Sequence, residues 1–503
     1  MRLPLPHGEK INMNTFIKEL KETNKFGYTE NGARTRTTTD KALYDLFAFG
    51  AAYRERSEED CILLFKKAFE KNPVLSLKCL FYLRDVTDGQ GEKRFFISCY
   101  KWLIKNYPEY AERNMKFIPT FGKWKDIFDI FCDTSLENKA FDFVERQLFK
   151  DLSDKYPSLC AKWCPSCNTS SVETRRKAKK FIKYLGWTPK HYRKILSILR
   201  ERINVLERLL SAKEWDKIDF SKVPSVAGLK YTHLFQTRPE LVKRYWEYIS
   251  KRYWKYISNK NTKVNTKALY PYQIVNKALD YCISNDIAEK YWDNLPDYIQ
   301  NADEKIMCVV DTSASMRWSV GSAKPIEVAI SLGLYCAERL GGTFHNKYIS
   351  FSLRPQFIEI EGVDFKDKVK RIYKKNLCEN TNIQATFDLL KEACLKSKEE
   401  DRPTKIIIIS DMEMDIFNGV EDFNKTLMEN IREDWRQCGL EMPSLVYWNV
   451  NARHNNILDD AKNTDVTYVS GYNTAIFKQI MEGKTGMEVM YDKLLSDRYN
   501  DIM

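Results

Sequence analysis

Asp311, Ser313 and Ser315 place one carboxylate and two hydroxyls at alternate positions, Asp-x-Ser-x-Ser, directly after the apolar run 306–310. Such donors suit a hard divalent cation such as Mg²⁺, which favours oxygen ligands and keeps open positions for water or for a carboxylate brought by a partner. Asp and Ser are also ordinary turn residues, so the triplet needs company before it carries weight. Two further segments supply it. Asn380-Thr381-Asn382-Ile383 runs into a helical pattern of Ile383, Phe387 and Leu390, which puts Thr381 in the loop entering a helix. Residues 405–410 form a β-branched run that ends in Asp411, as a central parallel strand would. Ligands of open parallel sheets bind beyond the carboxyl ends of the strands. With runs 306–310 and 406–410 side by side, Asp311, Ser313, Ser315, Thr381 and Asp411 all project to that edge.

The elements that must position these residues alternate in type. A helix over 327–340 follows Pro325 and ends at Gly341-Gly342, the usual asymmetry of helix termini. Strands are predicted at 348–353, 406–410, 444–450 and 466–470, with helices at 385–395 and 423–437 between them. This pattern predicts a doubly wound α/β domain over 301–503. Gly341-Gly342-Thr343 lacks the Lys and the glycine spacing of a phosphate loop and reads as a helix cap. Residues 14–300 have another texture. Apolar stripes recur at helical spacing: Leu63, Leu64, Ala68 and Phe69; Phe95, Tyr100 and Leu103; and one long stripe of Tyr192, Ile195, Leu196, Leu199, Ile203, Leu206 and Leu210. They predict an N-terminal all-α domain of stacked hairpins, in the manner of a helical-repeat solenoid, although no clean sequence repeat is visible.

Charge separates the two parts. The net charge of +12 divides into about +18 for residues 1–300 and about −6 for 301–503. Residues 151–270 alone hold 27 Lys or Arg against 10 Asp or Glu. The basic positions Arg175, Arg176, Lys177, Lys179, Lys180, Lys183, Lys190, Arg193, Lys194 and Arg200 are interleaved with Phe181, Tyr184, Trp187 and Tyr192. Clustered cations gain affinity by releasing counterions from a phosphate backbone, and aromatic rings can stack unpaired bases. A solvated helix face is the plainer account of any charge run, but a surplus this local points to a polyanion, RNA above all. An eight-residue tandem copy adds Lys243, Arg244, Lys251 and Arg252 in KRYWEYIS-KRYWKYIS. Eight residues advance a helix by about 800°, so the copies present different faces and the band they form is wide. Gly89-Gln90-Gly91 offers amides to a phosphate or, more simply, makes a tight turn between helices.

The set Asp311, Ser313, Ser315, Thr381 and Asp411 resembles the metal-ion-dependent adhesion site of von Willebrand factor A domains. Thr381 fits that pattern better than Thr386, and Asp411 better than Asp415, because Asp411 follows its strand directly. The resemblance implies a Rossmann-like domain whose serines, threonine and aspartates hold Mg²⁺, or another divalent cation such as Mn²⁺ or Ca²⁺, directly or through water. One position then stays open for an acidic residue of a protein partner. In the helical part, the phrases RDVTDGQGEKR from Arg84, IPTFGKWKD from Ile118, VPSVA from Val223 and LYPY from Leu269 join this motif. Together they resemble an uncharacterised family of viral and bacterial proteins, domain of unknown function 2828, over almost the whole chain. That family is similar in layout to Ro autoantigen proteins, with a TROVE-like, HEAT-like helical ring followed by a von Willebrand factor A domain. The Ro resemblance implies binding of single-stranded RNA ends and of structured small RNA, without transferring any individual contact residue.

Other classes fare less well. The thirteen cysteines are scattered and odd in number and the start of the chain has no apolar signal segment, so a reduced cytoplasmic setting, in a virus-encoded or other cell-internal protein, is expected. Cys160, Cys164 and Cys167, with His191, lack the paired spacing of a zinc site. No run approaches the length of a membrane span. Five histidines give little general-base supply, and none stands near a nucleophile pattern, so no catalytic residues are assigned. Asp411, Glu413 and Asp415 would suit a metal-dependent nuclease, but the Ser and Thr members fit docking better. The expectation is an RNA-binding scaffold that recruits a protein partner through a divalent cation. The alternative is a metal-dependent interaction or virion assembly component whose basic helices meet an acidic protein.

Overall fold

The computed structural model describes residues 25–235, 244–279, 283–299, 304–318, 323–351, 353–375, 381–416, 425–459 and 464–503. A short antiparallel hairpin, β1 (Phe26–Tyr28) and β2 (Arg34–Arg36), opens the described chain. A succession of helices follows, from Ala42–Phe49 to Asn285–Asp293. Local chemistry sets their ends. Ser57 caps Glu58–Phe69 by accepting from the Asp60 amide, with three acids in the first turn and Lys66 and Lys67 in the last, matching the helix dipole. Pro189 stands at the first position of Pro189–Arg202, and Thr188 accepts from the His191 amide. The long stripe from Tyr192 to Leu210 is two helices, not one. Asn204 takes a left-handed φ of 51° and separates Pro189–Arg202 from Leu206–Ala212, a conformation Asn tolerates better than most residues.

The second part is a mixed sheet of six strands: β3 (Ile306–Asp311), β4 (Lys347–Phe351), β5 (Gln356–Glu359), β6 (Lys405–Ser410), β7 (Ser444–Asn449) and β8 (Val466–Ser470). Their order is β5-β4-β3-β6-β7-β8, with every pair parallel except β4 with β5. The predicted strands lie within a residue or two of those observed; the one at 348–353 is a strand to Phe351, with Ser352 outside the described residues and Leu353 past its end. The edge strand β5 and the helix Phe365–Lys375 are additions, because Gln356, Phe357 and Glu359 are exposed and leave no alternating apolar pattern.

Alternate strand residues feed two cores, as the pleat requires. Met307, Val309, Ile406 and Ile408 belong to a core shared with Ile383–Lys396, Leu427–Gln437 and the early helices, and Cys308, Val310, Ile407 and Ile409 to one shared with residues 206–299 and the helix Pro325–Arg339. Polar contacts reinforce this shared packing. Asp85 is fully buried and accepts from Arg498 Nη2 at 2.7 Å and from the Tyr499 hydroxyl at 2.9 Å. Asn473 donates to the Gly89 carbonyl, and the Arg54 guanidinium lies 3.6 Å from the centre of the Tyr472 ring. The turn Gly89-Gln90-Gly91 therefore serves packing. The Gln90, Gly91 and Glu92 amides donate to the carbonyls of Tyr82, Asp85 and Leu83 respectively, and a Cβ on Gly89 would lie 2.0 Å from the Tyr82 oxygen.

Candidate cation site and basic groove

β3 and β6 are neighbours with Val310 opposite Ile409, so Asp311 and Ser410 end side by side on the sheet's carboxyl edge. The Ser410 hydroxyl donates to Asp311 Oδ2 at 2.5 Å and the Ser313 amide to Oδ1 at 2.9 Å. The Ser313 and Ser315 hydroxyls stand 3.0 Å apart, and Ser315 reaches the Asp411 carboxylate. After Asp411 the chain turns through Met412, at a left-handed φ of 66°, with the Met412 amide held by Ser410 Oγ at 2.9 Å. The same turn lets the Asp415 amide donate to the Thr381 carbonyl at 2.9 Å, which brings the 381 loop to the 411 loop. Asp311, Ser313, Thr381 and Asp411 are buried and Ser315 is half-buried.

Burial, then the charge of Asp411, pushes the Asp311 carboxyl well above the ordinary Asp range. Burial raises Asp411 too, against the pull of the Arg453 guanidinium and with a further push from Glu413. Two buried carboxylates, both raised by burial and one raised further by the other, are short of positive charge. That shortage and the convergence of hydroxyl oxygens fit a hard divalent cation. Asp311, Ser313, Ser315, Thr381 and Asp411 would hold it, and it would supply a Lewis-acidic position for an incoming oxygen ligand.

Sequence reasoning missed the surroundings of this edge. Arg453 Nη2 donates to Asp411 Oδ2 at 3.1 Å, and His454 Nδ1 lies 2.9 Å from Oε1 of the fully buried Glu413. The turn of the β1–β2 hairpin lies on the same loop: Thr29 Oγ1 donates to the Met414 carbonyl at 2.6 Å, and the Glu30 amide to Glu413 Oε2 at 2.8 Å. Among the described residues, Glu30, Glu413 and His454 are the group of His, Cys, Asp and Glu side chains close enough to share an ion. Cys160, Cys164, Cys167 and His191 do not gather in this way: Cys160 and Cys164 are buried, and His191 packs edge-on against Trp187.

The structure divides the basic residues into two sets. Arg176 pairs with Glu173 at 2.9 Å and Asp133 at 2.6 Å, Lys177 with Asp129 at 2.7 Å, and Lys180 with Asp133 and Glu137. Their charge is committed to the packing of Val172–Tyr184 on the preceding helices. Arg175 donates to the Thr169 and Ser170 carbonyls, and Arg252 to those of Trp215, Asp216 and Ile218. Lys251 is exposed on Arg244–Ser258; Lys243 lies outside the described residues, and of Arg244 only the backbone is described. The aromatic residues are largely structural, since Phe181, Tyr192 and Tyr253 are core.

The other set faces a groove of about 860 Å³ between Cys160–Trp163, Pro189–Arg202, Leu206–Ala212 and Ser225–Phe235. Lys162, Arg193, Arg200, Arg208 and Lys230 line it, and it shares Cys167, Asn168 and Arg193 with a hollow that adds Lys179 and Lys183. Arg200 is aimed by neutral acceptors only, the carbonyls of Ala161 at 2.8 Å and Cys164 at 3.0 Å and the Ser166 hydroxyl. Arg193 bonds the Pro189 carbonyl. Among the described residues, Lys179, Lys183, Lys190 and Lys194 are exposed and have no carboxylate partner. Full positive charge is thus presented here. Lys162 and Arg208 are partly offset by Glu207, Glu201 and Glu214.

Comparison with known proteins finds two family models. One, a domain of unknown function (DUF2828), matches residues 29–150 and 168–312; another, a domain of unknown function (DUF7788), matches 305–500. The uncharacterized protein L728 of Acanthamoeba polyphaga mimivirus is 30% identical over 504 residues, covering 91% of this chain and 85% of that protein. Among solved structures, the RO (RSR) protein of Deinococcus radiodurans is similar at a TM-score of 0.44 and 12% identity, covering 91% of this chain and 99% of that one. With one family model spanning more than half of its length and a viral relative similar along nearly all of it, this chain belongs to the DUF2828 family.

Proposed function

We propose that this protein is a Ro-like RNA-binding scaffold. The groove around Arg193 and Arg200 engages the phosphates of an RNA strand, and the cation site docks the carboxylate of a protein partner, with no bond broken at either. The observation that carries the reading is the treatment of charge. Arg176, Lys177 and Lys180 are neutralised by carboxylates, whereas Arg193 and Arg200 at the groove are oriented by carbonyls and a hydroxyl and keep their charge. A phosphate chain gains most from such cations, because each contact releases a condensed counterion. Oriented guanidinium groups lose little freedom on binding.

The cation site supports docking over hydrolysis. Its oxygen donors are hydroxyls and carboxylates already paired with one another. His454, on the same edge, is hydrogen-bonded to Glu413. The proposal is tested by RNA binding to the full chain under rising salt, with Asp311→Ala as a partner variant. RNA affinity that falls steeply with salt and survives Asp311→Ala, while a co-purifying protein is lost, fits the reading. Affinity absent at low salt removes the RNA half of it.

A further inference from the structure

Asp411 is already engaged by a cation of the chain itself. Arg453, four residues beyond the end of β7, spans two carboxylates: Nη2 to Asp411 Oδ2 at 3.1 Å and Nη1 to Glu30 Oε2 at 2.5 Å. Glu30 sits in the hairpin turn, and that turn is fixed to the loop carrying Asp411 through Thr29, the Glu30 amide and Asn31 Nδ2, which donates to the Glu413 carbonyl at 3.0 Å. The third nitrogen of the guanidinium, Nε, is buried without a hydrogen-bond partner. So is Oε1 of Glu55, whose carboxylate feels the charge of Arg453 and accepts from Asn451. A buried donor and a buried acceptor left unsatisfied are each a standing cost, which a movement that joined them would relieve. Arg453 therefore has a second acceptor within its surroundings.

We propose that Arg453 is the resident counter-ion of Asp411, and that a divalent cation entering the site displaces it from Asp411 toward Glu55 while it keeps Glu30. The proposal rests on the cation-site reading above. Cation and guanidinium compete for one carboxylate, so occupancy of the site and the grip on the N-terminal hairpin are linked. Linkage is reciprocal: whatever the cation does to the hairpin's hold, the hairpin does to the cation's affinity. A partner carboxylate arriving at the cation meets Glu30 as a neighbouring acid, and its docking is coupled to the same movement.

The test is Mn²⁺ binding to the full chain, followed by the resonance of free Mn²⁺, for the wild type, D311A, R453Q, E55Q and R453Q/E55Q. Removing the competitor should tighten binding in R453Q by about tenfold, within the usual range of such couplings. E55Q removes the negative charge that would receive the guanidinium, holds Arg453 on Asp411 and weakens binding. In the R453Q background the same substitution should be silent, because Glu55 acts through Arg453, and this non-additivity separates displacement from a plain loss of negative charge. Binding removed by D311A but unchanged or weaker in R453Q overturns the proposal and leaves the cation site standing. An E55Q effect of equal size in both backgrounds also overturns it. No Asp311-dependent binding in any variant removes the cation-site reading and this proposal together. E55Q retains the acceptor used by Asn451, so its comparison with wild type still decides the sign if R453Q fails to fold. An unchanged or tighter E55Q would then overturn displacement.

Discussion

Removing charge from the groove should change the salt dependence of RNA binding in proportion to the cations removed. Lys179, Lys183, Arg193, Arg200 and Lys230 face the groove or its adjoining hollow without a carboxylate partner among the described residues. A single strand releases about 0.7 counterion per phosphate neutralised, so five contacts give the logarithm of the binding constant a slope of about −3.5 against the logarithm of salt. Between about 50 and 200 mM salt, affinity should fall by about a hundredfold. The triple variant K179Q/K183Q/R193Q keeps two contacts, and its slope should be about −1.4. The control is E173Q/R176Q, which removes an ion pair of 2.9 Å without changing net charge and should leave the slope at about −3.5. Fluorescence anisotropy with a labelled unstructured RNA, repeated across that range of salt, reads both. Equal slopes for wild type and the groove triple would mean that these cations do not meet phosphate, as would a control that flattens the slope as much as the triple.

Three other outcomes follow from the same structure. D311A should abolish Asp311-dependent Mn²⁺ binding and leave RNA affinity within about twofold, since groove and sheet edge act separately; equilibrium dialysis and anisotropy check the two halves, and Mg²⁺-dependent RNA cleavage lost in D311A would replace docking with a nuclease. R84A should destabilise the protein by about 3–5 kcal/mol in urea denaturation, because it strips the buried Asp126 of a partner at 2.7 Å. G471A should lower stability by about 1–3 kcal/mol, since Gly471 has a φ of 98° and an added Cβ would fall 2.1 Å from Gln90 Oε1; thermal unfolding measures it, and an unchanged midpoint would mean the Gln90 turn yields freely.

The sheet and its edge were legible because the informative residues are close in sequence and of unusual type. Ile406 to Ile409 can be little but a buried strand, and Asp311, Ser313 and Ser315 follow another. What escaped depends on distance along the chain. Arg453 reaches Asp411, and Glu30 reaches Arg453, from far-separated loops, and β1 and β2 are three-residue strands, FGY and RTR, with no alternating apolar pattern to announce them. The basic window was legible as a surplus but not as a surface. Counting cannot show that Asp129, Asp133 and Glu137, outside the window, neutralise Lys177, Arg176 and Lys180. Nor does a helical stripe report that Asn204 breaks it, since the apolar spacing runs on through the turn.

In this reading RNA lies against the groove walls of residues 160–230. The direct measurement is ultraviolet crosslinking of nucleic acid bound to the full-length protein, followed by sequencing of the RNA and mass spectrometry of the crosslinked peptides. Crosslinks are expected in peptides containing Trp163, Cys167 or Arg193, which border the groove. Protein that carries no RNA, or crosslinks confined to the carboxylate-paired face at Asp129, Asp133 and Glu137, would contradict it.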